Sequence, residues 1–153
     1  DPMPPFDFYD ASRRVYTHPR LLPATKVEGC TFRRALVSEG CILMGAEIER
    51  SVVGIRSRVG QGTRVRDSLL LGADDYESLE EIDRSRARNV PPVGIGSDCV
   101  IERAIVDKNA RIGSGVRITN EKGVQEADAD GYYVRDGIVI VPKSGVLPDG
   151  TAI

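Results

Sequence analysis

No tryptophan occurs in the 153 residues, and phenylalanine and tyrosine together supply only 5%. A core built around large rings is excluded, leaving Val, Ile, Leu and small residues, which suit thin β layers better than packed helices. Cysteine is scarce too. Cys30, Cys41 and Cys99 are odd in number and form no C-x-x-C pair, so neither a disulfide framework nor a zinc site is expected, and no metal ligands are assigned. They are read as small buried apolar residues. No apolar run nears the roughly 18 residues needed to span a bilayer, and "DPMPPFDFYD" has neither the charged region nor the apolar stretch of a signal peptide. The expectation is an intracellular chain with no membrane partner. Neither sign of charge dominates, with 21 Lys and Arg against 23 Asp and Glu. Without a global basic field no nucleic-acid partner is expected, and any anion site must be local.

Glycine, by contrast, is plentiful at 16 residues, and it recurs in a pattern. "RVGQGTRV" at 58 to 65 returns as "RIGSGVRI" at 111 to 118, within longer matching stretches from 50 to 65 and 103 to 118. As a phosphate cradle the Gly-x-Gly fails, because the third glycine of a dinucleotide fingerprint is missing, no helical period follows, and the motif occurs twice. It reads as a building unit. Aliphatic residues recur every five or six positions at Val37, Leu43, Ile48, Val53, Val59, Val65 and Leu70, then at Ile95, Ile101, Val106, Ile112 and Ile118. Small residues lie between them at Cys41, Ala46, Ser51, Ser57, Thr63, Ser68, Cys99, Ala104, Ala110 and Val116. Neither a helix nor simple strand alternation has that spacing, whereas a chain turning a corner every five to six residues does.

Three steps make a coil of about seventeen residues, and coils stack at about 4.8 Å. The expected fold is all-β, a parallel solenoid whose "V-G-x-x-x" and "I-G-x-x-x" units resemble the left-handed parallel β-helix of hexapeptide-repeat proteins. Gly60, Gly62, Gly113 and Gly115 are placed at its corners. Arg58, Arg64, Arg111 and Arg117 each precede an inward residue and are expected to form a solvated face. Residues 72 to 94 break the hexads and carry a capping-box pattern, Ser78 to Glu81, so they read as a surface excursion with one short helix. "TNEKGVQEADADG" reads as a polar loop, and "YYVRDGIVIVPKSGVLPDGTAI" as a strand, a turn and a final coil. Residues 1 to 26, with five prolines and no period, read as a linker to a preceding domain, ahead of a β-helix over 27 to 153.

The segments "FYDASRRVYTHPRLLPATKV", "SVVGIRS", "LLLGADDYE", "PPVGIG", "RAIVDKNARIG", "VQEADADGYYVRDGIVIV" and "LPDGTAI" span nearly the whole chain. Together they resemble the C-terminal domain of the ADP-glucose pyrophosphorylase (glucose-1-phosphate adenylyltransferase) family in its cyanobacterial and plant form. The resemblance implies a left-handed β-helix that follows a Rossmann-like nucleotidyltransferase domain and helps assemble a homotetramer or heterotetramer. It implies a share in allosteric control by the small anions 3-phosphoglycerate and phosphate, in glycogen or starch synthesis, within the bacterial cytoplasm or the plastid stroma. Nothing here matches the family's G-x-G-x-R-L nucleotide segment. No catalytic residue is therefore expected in this stretch, and ATP and Mg are expected to bind the other domain.

Lys108 holds the place in the second repeat that Ile55 holds in the first, so a charge replaces an apolar residue in a regular array. In similar enzymes this lysine and the one after the late "GIV" strand, here Lys143, lie at the anion effector site. A flexible point charge suits a phosphate that comes and goes. The two lie 35 residues apart, read as about two coils. Pro142 is expected to re-aim Lys143. "THPRLLP" resembles the family's "TQPRYLP", which assigns Arg20 to the anion-binding arginine and puts His18 in place of the glutamine. The same solenoid also serves hexapeptide-repeat acyltransferases, which need a histidine between coils where this chain has none, and free-standing interaction modules.

Overall fold

The computed structural model describes Pro5 and residues 7–153. The linker expected over 1 to 26 includes residues 1–4 and 6, which lie outside the described residues. Its described part, 7–25, holds turns and no strand or helix, and the first strand begins at Lys26.

From Lys26 the chain winds into a three-sided parallel β-helix. One sheet stacks Lys26–Glu28, Ile42–Met44, Arg58–Val59, Gly94–Ile95, Arg111–Ile112 and Val146–Leu147. A second stacks Thr31–Arg33, Glu47–Glu49, Arg64–Arg66, Val100–Glu102 and Arg117–Ile118. In the third, Leu36–Val37, Val52–Val53, Leu69–Leu70, Ala104–Val106 and Ile138–Val141 continue into two antiparallel strands, Tyr132–Arg135 and Glu126–Ala129.

The register explains the hexads. Leu43, Val59, Ile95, Ile112 and Leu147 stack in one inward column. Ile48, Val65, Ile101 and Ile118 make the second, and Val53, Leu70, Val106 and Val141 the third. All are buried, and so is every small residue named from the spacing. Inward hydroxyls are tolerated because each is hydrogen-bonded. Ser51 Oγ donates to Glu49 O (2.7 Å) and accepts from Ser68 N (3.1 Å), while Ser68 Oγ repeats the pattern with Arg66 O and Ala104 N. Thr63 Oγ1 donates to Gly96 O at 2.8 Å and accepts from Cys99 N at 3.2 Å. Cys41 and Cys99 are buried free thiols, pushed up in pKa by that burial, whereas Cys30 is only half-buried.

Three further expectations need correction. Val37 is inward but 38% exposed, because it belongs to the first coil and has no coil beneath it. Gly62 and Gly115 do turn corners at φ +75° and +67°, but Gly60 and Gly113 do not. A Cβ on Gly60 would lie 2.6 Å from the Gly96 carbonyl carbon, so this glycine permits close approach of adjacent coils. The polar loop after Ile118 contains the strand Glu126–Ala129, which pairs with Tyr132–Arg135, and that strand turns at Asp136–Gly137, with φ of 49° and 75°, into Ile138–Val141 to complete a meander. The side chains of Glu126–Ala129 are mostly exposed, so no apolar pattern marked it.

Excursion 72 to 94 carries the helix Leu79–Ala87, capped as expected by Glu81 N on Ser78 Oγ (3.2 Å) and Ser78 N on Glu81 Oε2 (2.7 Å). Ile82 and Ser85 are buried on its inner side.

Candidate functional site

One prism edge carries the corner residues that follow the third sheet. Val53, Leu70, Val106 and Val141 are in register, so two residues on, Ile55, Gly72, Lys108 and Lys143 form a column. Backbone bonds along this edge hold it, with Asn109 N donating to Gly72 O (3.0 Å) and Ser144 N to Lys108 O (3.0 Å). Asn109 and Ser144 sit at φ 61° and 60°, as the tight corner demands. Lys108 therefore does take the Ile55 position. That position is a half-buried corner rather than core, which is why a charge is tolerated there.

Lys108 and Lys143 are one coil apart, not two. The meander spanning 126 to 141 branches away from the prism between them, so 35 residues of sequence correspond to one axial step of about 4.8 Å. Nor does Pro142 turn Lys143 aside. Lys108 Nζ lies 3.1 Å from Asp74 Oδ1 and Lys143 Nζ 3.0 Å from Asp74 Oδ2. Asn109 completes the clamp, donating from Nδ2 to Asp74 Oδ2 (2.9 Å) and accepting from Asp74 N at Oδ1 (2.8 Å). Lys143, then Asn109 and Lys108, hold the Asp74 carboxyl well below the usual carboxylate range. Since the folded pKa is depressed, the contact is fully present above the ordinary value of 3.8 and is lost only as pH falls through the lowered one.

Around this clamp the excursion is pinned twice more. Tyr76 Oη donates to Gly40 O at 2.7 Å, and the Arg56 guanidinium lies 5.7 Å from the Tyr76 ring centroid while reaching Ala73 O at 3.4 Å. Arg111 Nη2 pairs with Glu77 Oε1 at 2.6 Å and Nη1 donates to Pro91 O at 2.9 Å, while Glu77 Oε2 accepts from Val93 N at 2.7 Å. Arg111 thus departs from the expected solvated face. Its side chain and that of Glu77 are only 25% and 12% exposed, because the excursion covers them. Arg64 and Arg117 match the expectation, exposed beside Glu47 and Glu121, and Arg58 is half-buried.

His18 and Arg20 are exposed, and Arg20 Nη1 reaches the His18 carbonyl at 3.4 Å. They are not drawn into the lysine clamp. Leu22 lies close to Gly40 beside the Tyr76 hydroxyl, so this segment meets the same prism edge. Gly40 follows Glu39, whose carbonyl accepts from Arg56 N, and that level is about 14 Å, three coils, from Lys108.

Asp74, Asn109 and Arg56 were not anticipated. Asn109 adjoins a predicted site residue, and Asp74 lies just past the first break in the hexads, but only the stacking register reveals that they meet.

Among the described residues no three His, Cys, Asp or Glu side chains converge to hold a metal ion. No helix among them is long and apolar enough to cross a membrane.

The family model described as the GLGC left-handed parallel beta-helix domain matches residues 20–152. Over 150 residues the chain is 46% identical to glucose-1-phosphate adenylyltransferase large subunit 1, chloroplastic/amyloplastic, of Zea mays. That alignment takes in 97% of this chain and 29% of the maize protein, so the chain spans less than a third of the length of this curated relative. With a stacked three-sided core and this match over nearly all of its length, the chain belongs to the family of GLGC left-handed parallel β-helix domains.

Proposed function

We propose that the chain is the C-terminal regulatory and oligomerisation domain of a glucose-1-phosphate adenylyltransferase, the enzyme that makes ADP-glucose and pyrophosphate from ATP and glucose 1-phosphate for glycogen or starch. On this reading ATP and Mg act in another domain, and the protein works in the plastid stroma or the bacterial cytoplasm. Small anionic effectors, 3-phosphoglycerate and phosphate, bind at Lys108 and Lys143, with Arg20 and His18 contributing from the linker side. The observation that carries the regulatory reading is the convergence of both lysines on one carboxylate, each Nζ about 3 Å from a separate oxygen. Two ammonium groups held one coil apart suit two oxygens of a phosphate.

Each charge-assisted contact is worth about 1.5–3 kcal/mol. Lys108→Ala or Lys143→Ala in the full-length enzyme is then expected to raise the half-activating 3-phosphoglycerate concentration at least about tenfold. The rate without activator should stay nearly intact, since on this reading the substrates bind elsewhere. With Lys143 as close to Asp74 as Lys108, both variants should shift similarly. Activation curves at fixed substrate check this, and unchanged half-activation in both would place the effector elsewhere.

Assembly is proposed to use the outer face of the third sheet. Leu36, Val52, Leu69, Ile105 and Ile140 are in register there, one per coil, and Tyr133 pairs with Ile140 at the end. Leu36 and Val52 are exposed and the other three half-buried, which supports an interface. Their partners on the inward face are separate residues, so Val52→Glu with Ile105→Glu should spare the fold. In sedimentation of the full-length protein the double variant is expected to run as a smaller species. An unchanged mass would remove this face from the assembly.

A further inference from the structure

We propose that Asp74 is an internal occupant of the anion position, so that a phosphate-bearing ligand binds between Lys108 and Lys143 by displacing it. The inference rests on the reading of those lysines as the effector site and adds the mechanism by which the site is gated.

The carboxylate sits where a ligand phosphate would. Its two oxygens are divided between the two ammonium groups, at 3.1 and 3.0 Å, as two phosphate oxygens would be. Asp74 does not come from the prism. It belongs to the start of the 72 to 94 excursion, whereas Lys108, Asn109 and Lys143 are corner residues fixed by coil stacking. The frame is rigid and the occupant is carried on the inserted segment. Two ammonium groups face one carboxylate, so the clamp keeps a net positive charge, and the Arg56 guanidinium lies beside it on the Ala73 carbonyl. A phosphate monoester bears about −1.5 to −2 at neutral pH and offers three acceptor oxygens, against one charge and two oxygens on Asp74. Exchange is therefore favourable, but it must overcome a tethered competitor at high effective concentration.

Displacement has a local consequence. Asp74 N and its carboxylate both leave Asn109, while the anchor farther along the excursion, Glu77 on Arg111, remains. Movement is confined to residues 73–76. Tyr76 is the member of that group whose hydroxyl lies beside Leu22 and Gly40, so occupancy of the lysine site is transmitted to the end of the segment bearing His18 and Arg20. The bistable element is short and physically continuous, as coupling requires.

The test is calorimetric titration of the chain with inorganic phosphate, in the wild type, Asp74→Asn, Asp74→Ala and each combined with Lys108→Ala. Asp74 is part-exposed on the surface, so both single substitutions should retain the fold, which a melting curve verifies. Asp74→Asn and Asp74→Ala are expected to bind phosphate at least about tenfold more tightly than the wild type, and Lys108→Ala should abolish the gain. A second readout needs no variant. Phosphate should speed hydrogen exchange of the Asp74 amide, which loses Asn109 Oδ1. Phosphate binding that depends on Lys108 but is equal or weaker in both Asp74 variants would overturn the displacement while leaving the anion site standing. Absence of binding in every variant would overturn the anion site and the displacement with it. Slower exchange at Asp74 on phosphate addition would show that it stays in place as a co-ligand's neighbour, which also overturns the inference.

Discussion

Val59→Asp is expected to leave the chain largely unfolded at neutral pH, with the cooperative thermal transition lost or shifted far down. Val59 is 2% exposed and stacked between Leu43 and Ile95 in the middle of its column. The substitution removes about 1.5–3 kcal/mol of apolar burial and puts a carboxylate where the neighbours are aliphatic. Several kcal/mol of further cost follow from the unpaired charge. A domain of this size has about 5–15 kcal/mol in total. Burial would raise the folded-state pKa of the new carboxyl above about 3.9, so the defect should be smallest below about pH 4 and grow as pH rises through the folded value. The control is Arg64→Gln. Arg64 is exposed and 3.6 Å from an equally exposed Glu47, a pair worth about 0–1 kcal/mol. Circular-dichroism melts of both check the pair, and similar small shifts would contradict the inward column.

Arg111→Met carries the second large effect, and it is local. The thioether replaces the stem of the arginine but leaves the Glu77 carboxylate, 12% exposed, without its cation. Pro91 O loses its donor as well. Breaking a fully buried pair costs about 3–5 kcal/mol, and about 2–4 kcal/mol is expected for this partly buried one. The excursion should detach while the sheets persist, because its helix is short, mostly polar and held by Ile82, Ser85 and these contacts. Hydrogen exchange should therefore accelerate across Leu79–Ala87 and at Val93, whose amide bonds to Glu77, with the core columns unaffected. Glu77→Gln, which keeps an acceptor for Val93, should have a smaller effect. Unchanged protection of the helix in Arg111→Met would show that the pair is not what pins it.

The core columns were legible because each inward residue repeats at a spacing set by the local corner. Val59, Thr63 and Cys99 needed no knowledge of distant contacts, only of a five- or six-residue step. Val37 broke the rule because periodicity carries no information about which coil stands at the end of the stack. Lys108 stood out as a charge at the Ile55 position, and Lys143 through resemblance. Asp74 did not, since its role depends on residues 34 and 69 positions away that only stacking brings together. Arg111 was misjudged for the same reason, its outward direction being right but its cover by the excursion depending on Glu77, 34 positions away. The axial distance between the lysines was misread because the meander hid the coil count.

Both departures from the prism rejoin the next rung at the register an uninterrupted coil would have reached. Between Val53 and Arg58 the corner takes four residues, whereas between Leu70 and Gly94 the same turn takes 23. The closure entropy rises only with the logarithm of length, about 1.5 kcal/mol for this difference. A rung is thus a fixed address to which long segments are attached cheaply. The backbone positions of Lys108 and Lys143 keep their spacing whatever is threaded through the gap, and the acidic residue delivered to their side chains can change with the inserted segment alone. On the proposed reading of the clamp, responsiveness to an anion would be retuned by altering a loop, with the stacked backbone left untouched.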